Sequence, residues 1–251
     1  MMRIEAISVI PQVFEAYVGS SILGRAQRAG IFSFEAHDLR TWTHDRHRTV
    51  DDAPFGGGQG MLMKPEPIFE AVEDVSSRCE VRPHVIFFSP CGTPFTQRVA
   101  ERLSHEERLL FVCGRYEGMD ERVYTLADEV ISLGDYVLTG GELAALAVTD
   151  AVVRLIPGAL GDEMSAQDES FSDGLLEYAQ YTRPADFRGM PVPEVLLSGD
   201  HGAVDRWRRE SSLTRTALLR PDLIDWASLT EAERDLVNAA LGKNGDDEGG
   251  A

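Results

Sequence analysis

The sequence predicts an α/β fold with a mostly parallel sheet, followed by a small helical domain toward the C-terminus. Strand-like and helix-like segments alternate up to Pro157, the pattern of successive βαβ units. Two strand-like runs, residues 109–113 (LLFVC) and 130–133 (VISL), are short and apolar and each empties into a glycine-rich turn, as strands buried on both faces do. Beyond residue 178 the strand signals give way to helical ones.

Taken in order, residues 3–10 alternate in β fashion, with Ile4, Ala6, Ser8 and Ile10 opposite Glu5, Ile7 and Val9, so both faces are partly apolar. Residues 20–29 read as a short helix ended by Gly30, and 31–37 as a strand. Residues 65–77 predict a helix with proline near its start, 84–89 an apolar strand and 96–103 a helix. The two glycine turns follow. Residues 142–155 form an apolar helix that Pro157 stops, and its apolar residues run nearly all round, more than one monomer face easily buries. Residues 161–178 are rich in Gly, Ser, Asp and Glu and read as an exposed, flexible linker between a domain spanning 1–160 and a helical one spanning 179–242. In the latter, helices are predicted near 203–218 and 230–241, the second opened by a capping box from Thr230 to Glu233. Residues 243–251 (KNGDDEGGA) form a low-complexity tail predicted to be disordered.

The chain has 251 residues and a net charge of −18, from 24 basic and 42 acidic residues. Taken alone, that balance argues against nucleic-acid binding, because phosphates are neutralised by Lys and Arg. The distribution argues the other way. Basic residues cluster at His44, Arg46, His47 and Arg48, and again at Arg206, Arg208, Arg209, Arg215 and Arg220. Three cysteines (Cys79, Cys91, Cys113) form no C-x-x-C pair and suit a reducing, cytoplasmic compartment. The first residues lack the apolar core of a signal peptide, and no run of about 18 apolar residues predicts a membrane span.

The glycine turns carry the chemistry. Glycine admits positive φ and lets the backbone approach a ligand closely. Two such turns at neighbouring strand ends predict a pocket lined by main-chain N–H and C=O groups, at the strand ends where open α/β sheets bind ligands. The pocket differs from a nucleotide cradle: neither G-x-G-x-x-G after a strand nor G-x-x-x-x-G-K-[ST] occurs, and Asp135 and Glu142 are the only charges of the second turn. It suits a neutral or cationic adenosine-type ligand. Turns that merely reverse the chain are the alternative. His44 and His47 have no cysteine or third histidine beside them, so no metal site is predicted.

Residues 114–123 (GRYEGMDERV) and 131–142 (ISLGDYVLTGGE) closely resemble the bacterial tRNA (guanine-N1)-methyltransferase family. The resemblance continues at 43–61 (THDRHRTVDDAPFGGGQGM), 87–92 (FFSPCG), 154–161 (RLIPGALG), 181–184 (YTRP) and 192–201 (VPEVLLSGDH), in the family's order and over nearly the whole chain. It implies a SPOUT-type domain with a deep trefoil knot. It also implies methyl transfer from S-adenosylmethionine to N1 of the guanine 3′ of the anticodon, and an obligate homodimer with the active site between subunits. The cofactor residues it implies are Pro90, Gly114, Tyr116, Glu117, Ser132, Leu133, Gly134, Asp135, Tyr136, Val137, Leu138, Gly140 and Gly141.

The reaction needs a base for the N1 proton and a cation or N–H donors for charge developing on O6. Arg154, at the end of the apolar helix, falls where the family has its catalytic arginine; a helix-terminal arginine answering the dipole is the other reading. The family's base is an aspartate immediately before Ser-Phe. Here Glu169 precedes Ser170-Phe171, and Asp168 precedes Glu169, so both are candidates; two solvated acids are the plainer alternative. The segment from His44 to Arg48 and the glycine loop around Gly58 resemble the part of the family that contacts tRNA and closes over the methionine end of the cofactor. Arg206, Arg208, Arg209 and Arg215 are candidates for phosphate contact, with an ordinary solvated helix face as the alternative. Cys91 lacks a histidine partner and is no nucleophile candidate, and methyl transfer from a sulfonium needs none. The rival readings are a non-catalytic RNA-binding protein of the same fold, kept open by Glu169, and a methyltransferase acting on another RNA or nucleoside.

Overall fold

The computed structural model describes residues 1–160 and 169–242, arranged as two compact units, Met1–Glu163 and Met164–Ala251. The first unit runs β1 (Met2–Ser8), α1 (Val13–Val18), α2 (Ser21–Arg28), β2 (Phe32–Asp38), β3 (Asp51–Asp52), β4 (Leu62–Met63), α3 (Pro65–Ser77), β5 (His84–Pro94), α4 (Gln97–Leu103), β6 (Arg108–Val112), β7 (Glu129–Ser132) and α5 (Glu142–Val153). Five strands form one sheet in the order β2-β1-β6-β5-β7, every pairing parallel.

Parallel strands need both faces covered, and two cores do this. On one face Ile4, Ala6, Ile86, Leu109, Phe111 and Ile131 pack with residues of α1, α2, α4 and α5. On the other Ile7, Val85, Phe87, Leu110 and Val112 pack with Ile68, Ala71, Val72 and Val75 of α3. The one-residue alternation along β1, β5 and β6 feeds the two cores, which is why both faces of residues 3–10 read as partly apolar.

A charged cluster ties the sheet to α3. Glu5, fully buried, accepts from Arg3 (2.7 Å), His37 (3.1 Å) and Arg108 (2.8 Å). Arg108 also donates to the carbonyls of Val75, Ser76 and Val81. Burial alone would raise the Glu5 carboxyl, but hydrogen bonds from His37, Arg108 and Arg3 outweigh it and hold its pKa at about 2.

The second unit contains the short hairpin β8 (Asp186–Phe187) and β9 (Met190–Pro191) and the helices α6 (His201–Leu219) and α7 (Glu231–Ala240). Its core is Leu175, Leu213, Ala217, Ile224, Leu229 and Val237. The predicted capping box is present: Thr230 accepts from the Glu233 amide, and the Glu233 carboxylate accepts from the Thr230 amide. Of the predicted linker over 161–178, residues 169–178 are described, and 171–174 among them are exposed. Leu175 is buried in the second unit's core, the Leu176 amide donates to the Thr216 hydroxyl, and the Ala179 amide donates to the Ser211 hydroxyl. The rest of that linker, 161–168, and the predicted tail, 243–251, lie outside the described residues. Among the described residues no helix is long and apolar enough to cross a membrane.

Candidate functional site

Three loops at the carboxyl ends of adjacent strands enclose one cleft of about 650 Å³. The first interrupts β5: the strand leaves β7 after Phe88 and rejoins it at Thr93, so Ser89–Gly92 arch out of the sheet. The second follows β6 and the third follows β7. The structure brings together Pro90, Gly114, Tyr116, Glu117, Ser132, Leu133, Gly134, Tyr136, Val137, Leu138, Gly140 and Gly141 in the lining. Asp135 is exposed and lies outside it. Cys91, Leu62, Arg115, Glu121 and Tyr124 also line the cleft, and sequence reading did not single out the last four for a role.

Glycine is required where the loops cross. The Gly141 amide donates to the Gly114 carbonyl at 2.9 Å, and Arg115 and Gly140 form an antiparallel bridge. A Cβ on Gly141 would stand 3.0 Å from the Cys113 Cα, and one on Gly92 2.6 Å from the Val130 carbonyl oxygen. Gly134 takes φ +146°, and its turn is pinned by the Ser132 hydroxyl, which lies 3.2 Å from the Gly134 amide. Tyr116 takes φ +61° without being glycine, a left-handed backbone that marks stored strain. Burial, and then the Asp51 charge, raise its phenol above the ordinary range.

A buried carboxylate sits behind the crossing. Glu142 opens α5 and is 3% exposed. It accepts from the Ser8 hydroxyl at 2.6 Å and from Arg115 Nε at 3.1 and 3.2 Å. Burial and then the Glu142 charge push the Cys113 thiol well above its usual pKa.

The basic loop reaches the cleft's edge through its glycines. Asp45 accepts from the His47 and Thr49 amides, which shapes the turn that exposes Arg46, His47 and Arg48. His44 meets Glu70 at 2.8 Å. Gly56, Gly57, Gly58 and Gly60 all have positive φ. The Met61 carbonyl accepts from the Glu117 amide, and a Cβ on Gly60 would collide with the Glu117 side chain.

Arg154 caps the C-terminal end of α5, half-buried, with its amide on the Asp150 carbonyl. Glu169 is half-buried in the second unit, where its carbonyl accepts from the Ser172 amide and hydroxyl. Asp168 lies outside the described residues. Much of the arginine face on α6 is engaged internally. Arg209 pairs with Asp173 (3.1 Å) and Glu233 (2.8 Å), and Arg208 pairs with Asp205 and stacks over Tyr178. Arg215 donates to the Glu177 carbonyl. Arg206 is exposed and has no ion pair among the described residues.

A parallel α/β sheet with a glycine-rich cleft at its strand ends defines a ligand-binding domain. Residues 2–226 match the family described as tRNA (Guanine-1)-methyltransferase TrmD. A tRNA (guanine-N(1)-)-methyltransferase of Halalkalibacterium halodurans is 51% identical over 240 residues, covering 95% of this chain and 97% of its own. One of Bacillus subtilis is 49% identical over 239 residues, covering 94% and 98%; one of Syntrophotalea carbinolica is 51% identical over 238, covering 94% and 95%. The chain belongs to the tRNA (guanine-N1)-methyltransferase family.

Proposed function

We propose that this methyltransferase moves the methyl group of S-adenosylmethionine to N1 of the guanine 3′-adjacent to the anticodon of tRNA, as a homodimer whose active site lies between subunits. The observation that carries the cofactor reading is the cleft of three glycine-bearing loops. Its volume falls within the range of about 300–1,000 Å³ typical of small-molecule sites. Its loops pack so closely that a Cβ at Gly92 or Gly141 would press on neighbouring main chain, and apolar Leu133, Val137 and Leu138 line it. S-adenosylmethionine, when bound, supplies an electrophilic sulfonium methyl; the cleft's part is to hold it in line with N1, an orientation effect.

The remaining roles fall to side chains. Arg154 offsets negative charge on O6, and Glu169 takes the N1 proton, with Asp168 its competitor. Tyr136, Val137 and Leu143 are exposed apolar residues at and beside the cleft, 55%, 86% and 61% exposed, which supports burial against a second copy. Main-chain contact between the loops after β6 and β7 supports the SPOUT-type knot. Arg46, His47, Arg48 and Arg206, exposed cations on an acidic chain, support tRNA contact. A cytoplasmic location accords with a tRNA substrate.

Two assays test this reading. Label from methyl-labelled S-adenosylmethionine should enter tRNA, and a mixture of Arg154→Ala and Glu169→Ala proteins should recover activity that neither has alone. Absence of transfer by the wild type overturns the function; absence of recovery despite verified subunit exchange overturns the shared site.

A further inference from the structure

Glu142 is a carboxylate that the proposed chemistry does not use, yet it is 3% exposed. A buried charge is costly unless paired and hydrogen-bonded, and here the partners are specific. Ser8, fully buried at the end of β1, donates to Oε1 at 2.6 Å. Arg115, in the loop after β6, places Nε 3.1 and 3.2 Å from the two oxygens. One side chain thus joins β1, the second cleft loop and the start of α5, across 134 residues of sequence. Its fit is close: a Cβ on Gly140 would fall 2.5 Å from Glu142 Oε2 and 2.9 Å from Arg115 Nε.

The contact uses one nitrogen of a guanidinium that offers five N–H donors in a rigid fork. Arg115 lines the cleft, and its terminal amino groups have no hydrogen-bond partner among the described residues. With Nε held, the fork's outer edge is presented as a unit, and the ligand such an edge matches is a carboxylate taken by two N–H groups.

Resting on the cofactor reading above, we propose that Glu142 is a positioning residue: with Ser8 it fixes Arg115 so that its terminal amino groups receive the carboxylate at the amino-acid end of the cofactor. The adenosine end is left to the main chain of the glycine loops. A carboxylate that merely braced the fold would affect both ends of the ligand alike, and this difference can be measured.

Calorimetry on the full-length protein compares S-adenosylhomocysteine, which has the amino-acid end, with 5′-methylthioadenosine, which lacks it. Glu142→Gln keeps the side chain's shape but removes the charge that orients Arg115; Arg115→Gln removes the fork itself. Each should weaken S-adenosylhomocysteine about tenfold or more, ~1.4 kcal/mol. Each should change 5′-methylthioadenosine by less than about twofold, ~0.4 kcal/mol. The double variant should be no weaker than Arg115→Gln alone, because the two act as one unit. Ser8→Ala, which leaves the ion pair in place, should give a smaller loss of the same selectivity and serves if Glu142→Gln does not fold. Equal loss of both compounds overturns the proposal in favour of a purely structural brace, and retention of both overturns it outright. Wild-type protein that binds neither compound overturns the cofactor reading, and the proposal with it.

Discussion

Gly92→Ala tests whether the arch in β5 is fixed by close packing. An alanine methyl there would stand 2.6 Å from the Val130 carbonyl oxygen and 2.7 Å from the carbonyl carbons of Val130 and Ile131. Favourable contact begins at about 3.5 Å, so the arch must move by roughly an ångström. Both neighbours are main chain of β7, so no rotamer change relieves the overlap. Inserting a methyl into packed structure costs about 1–3 kcal/mol, and for a protein of this size each kcal/mol lowers Tm by about 2–4 °C. A fall of about 2–12 °C is expected in thermal unfolding. Pro90 and Cys91 ride on the same arch and line the cleft, so S-adenosylhomocysteine should also bind about tenfold or more weakly by calorimetry. Gly202→Ala is the control: the nearest atoms to its added methyl are side chains at 3.5 and 3.7 Å, and both readings should stay near wild type. Wild-type Tm and affinity in Gly92→Ala would refute the reasoning.

Three further outcomes are expected. Glu5→Gln leaves the buried Arg108 charge without its counter-ion and should cost about 3–5 kcal/mol at pH 7, measured by denaturant unfolding. Because the folded carboxyl titrates at about 2 rather than its usual 4.5, its contribution is present above about 4.5 and fades as pH falls toward about 2; a gap between variant and wild type that grows on acidification would contradict this. Arg206→Ala should flatten the dependence of tRNA affinity on salt by about one counterion, whereas Arg209→Ala should also lower Tm because it breaks contacts to Asp173 and Glu233; an unchanged salt slope in Arg206→Ala would place the RNA elsewhere. Glu169→Gln should lower single-turnover methylation by about 10²–10⁴ with cofactor affinity intact, while Asp168→Asn keeps most of it; the reverse pattern moves the base to Asp168.

The regular parts of the fold were legible because each carries a local signal. Residues 65–77 coincide with α3, and residues 96–103 and 142–155 differ from α4 and α5 only at their ends. Residues 109–113 and 130–133 match β6 and β7 within one residue at either end. The glycine turns were legible as turns, and they do meet in one cleft. Other features left weaker traces. α1 is six residues long, too short to show helical periodicity, and β5 resumes at Thr93 only after an arch of Ser, Pro, Cys and Gly that reads as its end. The Ser8–Glu142 contact spans 134 residues, and nothing in the spacing of distant polar residues announces it. Arg115 lies inside the GRYEG motif, and only the fold reveals that its Nε is already held by Glu142. Residues 169–178 read as a linker because their composition is polar; Leu175 among them is buried in the second unit's core. The arginines of α6 read as one face for phosphates, but acids distant in sequence, such as Asp173 and Glu233, already engage part of it.

The most direct measurement is mass spectrometry of digested tRNA after incubation of unmodified transcripts with the protein and S-adenosylmethionine. 1-Methylguanosine is expected in the fragment that carries the guanine 3′ of the anticodon. No methylation is expected of a transcript in which that guanine is replaced by adenine. Methylation at another atom or another position, or none with intact tRNA and cofactor, would contradict the proposed function.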